Sequence, residues 1–418
     1  MTAGSLSRLR ETLAWVYERV PFYRARFDAA GLRPESVDAG SFARLPVLRK
    51  ADLVASQRAR PPFGELLAAR REEFASIHTS PGPIFIPRIA AERGGTPALI
   101  EEIAAMGVER GAVAHVTLSY HLMPGGLRIH RAFEEFGCLV INGGTGNTAM
   151  QVQVAAAYGA TVYAGTPSFL RQIGIVARES GLDPRRDLKY RLGFSTAERL
   201  TPELRAELEE TFGIELFDHC GEAQIGPVAG ECKAHRGMHL SSNDLFCEFV
   251  DVATGAPAEP GSIGELIATH LGPRALPLVR YAPGDAYRLF EGDCPCGNPS
   301  PRVDFFGQVG AIRKIKGVLV HPIAVADVLR KFPEAGRFQV LVDHPAGQSF
   351  DRARLRVGTI DPALPATERA RELAGRIGAA AKDALLISMD VTLCPEAEIP
   401  EAASGPAFAE AIVDQRAH

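Results

Sequence analysis

The run from Leu216 to His239, LFDHCGEAQIGPVAGECKAHRGMH, concentrates side chains able to do chemistry. Cys232 is followed by His235 and His239 at C-x2-H and C-x6-H spacing, and Cys294 and Cys296 share one tight turn in the run CPCG. Three thiolates and an imidazole suit tetrahedral Zn²⁺ and leave no open position, so the expected role is structural. Spacing alone leaves His235 and His239 as alternatives for the histidine. Ahead of this set, the apolar residues 214–217 run into a polar, glycine-bearing loop holding His219, Cys220 and Glu222. An α/β protein places its ligand site where a strand gives way to such a loop.

The elements around it read as follows. Leu6, Leu9, Leu13, Val16 and Val20 recur at helical spacing and predict a helix over residues 1–30. Residues 74–86, FASIHTSPGPIFI, read as strand, proline turn and strand. AVAHVTLSY, CLVING, TVYAGTPS and YRLGFSTAE are strand-then-turn units, with helices expected over 125–136, 148–158, 169–180 and 202–212. That alternation predicts βαβ units and a largely parallel sheet. Beyond Gly237 the texture becomes hairpin-like, with Thr254-Gly255 and Pro260-Gly261 as turns. A domain boundary is expected near 307–310. The remaining residues read as a small α/β domain: VLVHP, a helix over 323–331, FQVLVDH, RLRVGTI, an alanine-rich helix and MDVTLCP.

With 418 residues the chain is too long for one core. A net charge of -4 gives no electrostatic case for nucleic acid or an anionic membrane. No apolar run is long enough to span a bilayer, and the amphipathic N-terminus lacks the apolar block of a signal peptide; a cytoplasmic protein is expected. Seven cysteines, an odd number, do not form a disulfide framework. Cys138, Cys220, Cys247 and Cys394 are expected to be buried small hydrophobes.

Several blocks, in order along nearly the whole chain, resemble the phenylacetate–CoA ligase group of adenylate-forming enzymes. They are VYERVPFYRARFDAAGL with LPVLRKADL, YHLMPGGLRIHRAFEEFG, TPSFL, STAE, GPVAGEC with GMHL, GELIATHLGPRALPLVRYAPGD, and CPCG. The resemblance implies a large N-terminal α/β domain (residues 1–308) with parallel sheets flanked by helices and a zinc-bearing antiparallel β region at about 214–306. A small, mobile α/β lid (residues 309–418) is implied after it. It also implies a two-step reaction: ATP and an aromatic or small organic carboxylate give an acyl-AMP, and the thiol of CoA then displaces AMP. Magnesium would accompany the nucleotide, some members carry the zinc, and His239 aligns with a histidine common in the group. The expected partners are a small-molecule carboxylate or acyl thioester and a second copy in a homodimer.

The resemblance also assigns residues, and the chain departs from it in places. Thr79 and Ser80 fall in the phosphate loop, whose usual lysine is missing and whose turn carries Pro81 and Pro83. Ser195, Ala197 and Glu198 lie in the block beside adenine, and Asp285 matches the aspartate that accepts both ribose hydroxyls. His219 stands where an aromatic stacks on adenine. Ala223 replaces the magnesium-binding glutamate, which leaves Glu222 as the candidate carboxylate. The hinge reads Gly307-Gln308-Val309-Gly310-Ala311, and the lid's lysine run becomes Ser404-Gly405-Pro406-Ala407, with Asp414 and Arg416 kept. Lys314 and Lys316 lie close to the hinge. Two functions follow: a divergent adenylate-forming ligase with His219 and Glu222 in its chemistry, or a repurposed homologue that no longer adenylates and works on an acyl-CoA or other ligand through His219, Cys220 or Glu222.

Overall fold

A computed structural model describes residues 3–80, 83–92, 97–252, 254–316, 318–344, 351–401 and 411–416. The chain forms two compact units. The first comprises Met1–Val250, Pro257–Pro283 and Arg288–Asp304; the second comprises Asp251–Ala256, Gly284–Tyr287 and Phe305–His418. The longest segment of the second unit begins at Phe305, and Gly284–Tyr287, with Asp285, groups with it. The Val309 N–H donates to the Gly284 carbonyl at 2.8 Å, which ties the two segments together.

The first unit is built on a parallel sheet whose strands run in the order Leu139–Asn142, Val113–Val116, Val162–Gly165, Leu192–Ser195 and Glu215–Glu222. Helices Pro124–Phe136, Thr148–Tyr158, Pro167–Glu179 and Pro202–Phe212 link them as the spacing predicts. Side chains alternate across a strand, so neighbours serve opposite faces. Ala114, Val116, Val162, Ala164 and Phe217 join a core with Leu99, Ile103, Ile129 and Phe133. Tyr163 and Leu216 join the other core with Leu170, Ile173, Tyr190 and Phe212. A parallel sheet covered on both faces explains the near-continuous apolar strands.

Strand Glu215–Glu222 changes partners part-way. Glu215–Asp218 pair in parallel with Leu192–Ser195, whereas His219–Glu222 pair antiparallel with Gly226–Gly230, and the register shifts between Cys220 and Gly221. Met238–Leu240 continues the antiparallel part, bonded on one side to Gly226–Glu231 and on the other to Arg302 and Val303. The chemistry-rich run thus lies where the sheet turns from parallel to antiparallel, through a bulge of the kind that re-aims side chains.

One expected helix is two. Ala3–Arg19 and Pro21–Ala29 are separated by Val20, which is extended (φ −116°, ψ 101°) ahead of proline. Proline disfavours a helical residue before it and is well suited to the first position of the next helix.

The second unit holds the hairpin Arg313–Ile315/Val318–Val320 and a four-stranded sheet. Its strand order is Asp390–Pro395, Arg352–Thr359, Ala335–Asp343 and Ile412–Asp414. Helices Pro322–Leu329 and Glu368–Leu385 pack on it through Val325, Leu329, Leu373 and Ile377. The strand Ile412–Asp414 was missed by the sequence reading; it adds in parallel to Ala335–Asp343 and carries Asp414.

Candidate functional site

The cysteine–histidine set comes together. Metal-ligating atoms of Cys232, His239, Cys294 and Cys296 all lie within 4.8 Å of one another. Cys232 follows the strand Gly226–Glu231, His239 sits on Met238–Leu240, and the two remaining thiols come from a turn closed by the Gly297 N–H on the Cys294 carbonyl at 3.0 Å. Two thiolates about 2.3 Å from one tetrahedral ion lie about 3.8 Å apart, and a thiolate and an imidazole about 3.6 Å apart. The Cys232–Cys294 Sγ separation is 3.7 Å, and Cys296 Sγ is 3.3 Å from His239 Nε2. His239 Nδ1 donates to the Ser300 carbonyl at 3.0 Å, which leaves Nε2 as the free lone pair facing Cys296. The Asn298 N–H points at Cys296 Sγ at 3.4 Å, the kind of contact that stabilises a thiolate. Burial pushes the Cys232 thiol up, with the neighbouring thiols adding to it. At Cys294 burial also pushes up, but hydrogen bonds from Cys296, His239 and Cys232 outweigh it and the thiol is held below its ordinary value.

His235 is excluded from that set. Its Nδ1 is 3.2 Å from Glu231 Oε2 and its Nε2 is 3.1 Å from Glu215 Oε1. With both nitrogens facing carboxylates its pKa is raised; the Glu231 hydrogen bond raises it most, against burial. Beside it, Asp218 is pushed up to about 8 by burial and by the charge of Glu231, with Arg205 opposing.

The nucleotide-side candidates are distributed differently. Ser195 ends its parallel strand, and its Oγ is buried with no hydrogen-bond partner among the described residues. Ala197 follows with φ 66°, a conformation costly for a residue with a Cβ. Glu198 is exposed and accepts from the N–H (3.1 Å) and Oγ (2.7 Å) of Ser168 at the start of helix Pro167–Glu179. Thr79 and Ser80 lie on the strand Phe74–Ser80, which pairs antiparallel with Ile84–Ile89. The Gln224 amide bridges Ser80 Oγ and the Glu222 carboxylate. Glu222 also accepts from the Gln224 N–H at 2.6 Å and lies 3.9 Å from Lys50 Nζ. Pro81 and Gly82, and the lid run Ser404–Ala407, lie outside the described residues. Asp285 opens the strand Asp285–Leu289 in the second unit. In the same unit Arg416 bonds Asp414, Asp351 Oδ2 (2.8 Å) and the Lys314 carbonyl (3.0 Å).

His219 does not present an open ring. It is 7% exposed, its Nδ1 is 2.6 Å from Glu102 Oε2, and its ring is tilted against Phe194 at 4.7 Å between centroids. One face and one nitrogen are engaged inside the unit, so a stacking or chemical role for His219 would use the other face or Nε2. Neither Glu102 nor a group of four arginines (Arg88, Arg128, Arg131 and Arg274) was singled out in the sequence. The only signal was the spacing of Pro124, Leu127, Arg128 and Arg131, one face of helix Pro124–Phe136.

Comparison with known proteins fits this architecture. Residues 317–416 match the family described as the AMP-binding enzyme C-terminal domain. An open conformation of 2-hydroxyisobutyryl-CoA ligase, solved with 2-HIB-AMP and CoA, superposes with a TM-score of 0.85 at 23% identity, covering 98% of this chain and 91% of that one. The fold is therefore that of the adenylate-forming CoA ligases. Phenylacetate-coenzyme A ligase of Thermus thermophilus is 31% identical over 95% of this chain and 93% of its own length. That of Escherichia coli K12 is 29% identical over 96% and 92%. The chain belongs to the phenylacetate–CoA ligase family. Among the described residues no helix is long and apolar enough to cross a membrane.

Proposed function

We propose that this protein is an acid–CoA ligase that activates a small organic carboxylate with ATP as an acyl-adenylate and passes the acyl group to the thiol of CoA. The observation that carries the reading is a likeness to phenylacetate-coenzyme A ligases that runs through 95% of the chain. The buried, unpartnered Ser195 Oγ and the strained Ala197 lie at the carboxyl end of a parallel strand, where an open α/β sheet takes its ligand. Ser195 and Ala197 would border the adenine, with Glu198 holding the neighbouring turn through Ser168. Asp285 would accept both ribose hydroxyls, since one carboxylate can take two hydrogen bonds from a vicinal diol. Thr79 and Ser80 would face the phosphates, and Glu222 is the carboxylate for the nucleotide's magnesium. In the first step the acid's carboxylate attacks the α-phosphorus, and pyrophosphate leaves. In the second, the CoA sulfur attacks the acyl carbon, AMP leaves, and a thioester forms.

The set Cys232, His239, Cys294 and Cys296 holds a structural zinc; its four donors use every tetrahedral position, so the ion supplies folding energy and no catalysis. The repurposed reading is not favoured, because the relatives are ligases and His219 is committed to Glu102 and Phe194.

The test is carboxylate-dependent exchange of labelled pyrophosphate into ATP over a panel of acids that includes phenylacetate. Exchange is expected with at least one acid, and Asp285→Ala is expected to lower it about 100-fold, the loss of two charge-assisted hydrogen bonds. No exchange with any acid, from protein that is folded and zinc-loaded, would overturn the reading.

A further inference from the structure

Four guanidinium groups from three elements line one cleft of the first unit. Arg88 comes from strand Ile84–Ile89, Arg128 and Arg131 from one face of helix Pro124–Phe136, and Arg274 from the loop after strand Ile263–His270. His78 and His270 complete the polar wall, and Gln224 and Gly226 of the opening stretch form another side. The cleft holds about 50 Å³ of open space, room for a few waters or one small oxyanion. Gly226, at φ 101°, lets the backbone come close: a Cβ there would lie 3.2 Å from Arg128 Nη1.

Carboxylates answer only part of this charge. Glu92 is the one acid on the wall; its Oε2 lies 3.7 Å from Arg274 Nη1, and its Oε1 accepts from the N–H groups of Ile89 and Ala275. Asp244 lies 3.5 Å from Arg274 Nη2, yet the Arg274 Nε is buried without a hydrogen-bond partner. Arg128 and Arg131 form no hydrogen bond with the described residues. Burial, then the charge of Arg274, holds the Arg128 guanidinium down to about 10, with the more weakly acting carboxylates Glu92, Asp244 and Glu222 opposing. His78 is lowered by burial and then by Arg88, Arg128 and Arg131, and His270 by burial and then by Arg274 and Arg128. Both imidazoles are thus kept neutral, able to donate or accept without adding charge. Like charges gathered in a half-buried cleft destabilise a fold unless an anion joins them.

We propose that this cleft is an oxyanion-binding site that takes a carboxylate or phosphoryl group. Two sources supply that chemistry: a second acid group on the carboxylate substrate, or the polyphosphate of the nucleotide. Arginine forks pair with either in the same bidentate way. On the nucleotide side the arginines would take over the charge of the missing loop lysine. On the substrate side they would select a dicarboxylic acid over a monocarboxylic one. The substrate source rests on the ligase reading, whereas oxyanion affinity does not.

The experiment measures binding without turnover. The full chain is titrated calorimetrically with inorganic pyrophosphate, with succinate and with benzoate at constant ionic strength, alongside Arg128→Gln and Arg131→Gln. Pyrophosphate or succinate is expected to bind more tightly than benzoate, and each variant to weaken that binding about tenfold or more. Pyrophosphate alone identifies the nucleotide as the source, and succinate alone the substrate. The melting temperature is a second readout: without anion, Arg128→Gln is expected to melt above the wild type, because a repulsion is removed. Arg131→Gln serves if Arg128→Gln does not fold. The proposal is overturned if neither probe outbinds benzoate, or if both variants bind as the wild type does. Failure of pyrophosphate exchange with intact oxyanion binding would sink the ligase reading alone.

Discussion

The cysteine–histidine cluster and the phosphate-side strip sit in the same unit and behave in opposite ways. Cys232, His239, Cys294 and Cys296 converge within 4.8 Å although five strands lie between Cys232 and Cys296 in the chain. Thr79, Ser80 and Glu222 instead meet through the Gln224 amide, with no cation from the loop itself among the described residues. The arginines near them come from three other elements. Coordinate bonds are short and directional, so a metal site needs its ligand types at fixed places. Charge acts over several ångströms, so a cation lost from a loop can be replaced from a neighbouring helix or strand.

That contrast can be broken at the metal first. Cys294→Ser is expected to remove the zinc and to cost about 3–5 kcal/mol, lowering the melting temperature by about 6–15 °C. Zinc by mass spectrometry and a thermal melt check it; a variant that keeps one zinc per chain and melts normally would remove the cluster from the account. Next comes the buried pair beneath the opening stretch. Glu102→Gln replaces a carboxylate held by His219 Nδ1 and Ser241 Oγ, and should cost about 1.5–3 kcal/mol in denaturant unfolding.

Asp218 gives a pH signature. Its folded value is raised to about 8 from 3.8, so the folded state binds the extra proton and stability falls as pH rises from about 4 to about 8. Asp218→Asn is therefore expected to match the wild type near pH 4 and to exceed it by about 1–2 kcal/mol above pH 8. A variant equally destabilised at both pH values would contradict the assignment. The smallest effect is expected at His235, which the metal assay also separates from His239. His235→Ala should keep its zinc, whereas His239→Ala should lose it, with the same metal assay as readout.

Much of this was legible in the chain. The βαβ alternation, the C-terminal α/β unit and the three cysteines of the cluster follow from periodicity and spacing, which reflect local geometry. The break at Val20 was misread although Pro21 marks it, because the apolar spacing runs on across the break. The partner of His219 was not legible for another reason. Its identity is compatible with stacking on a base, and only the approach of Glu102, 117 positions away, commits its ring to the interior.

By itself, then, the sequence determined the element order, the family and the donor types in the cysteine–histidine cluster, since each is written in neighbouring residues. The tertiary structure decided between His235 and His239, because the choice turns on which imidazole faces thiols and which faces Glu215 and Glu231. It also assembled Arg88, Arg128, Arg131 and Arg274, which no local pattern links. A charge cluster is a property of where strands and helices end up, and residues some 190 positions apart carry no mark that they will share a wall.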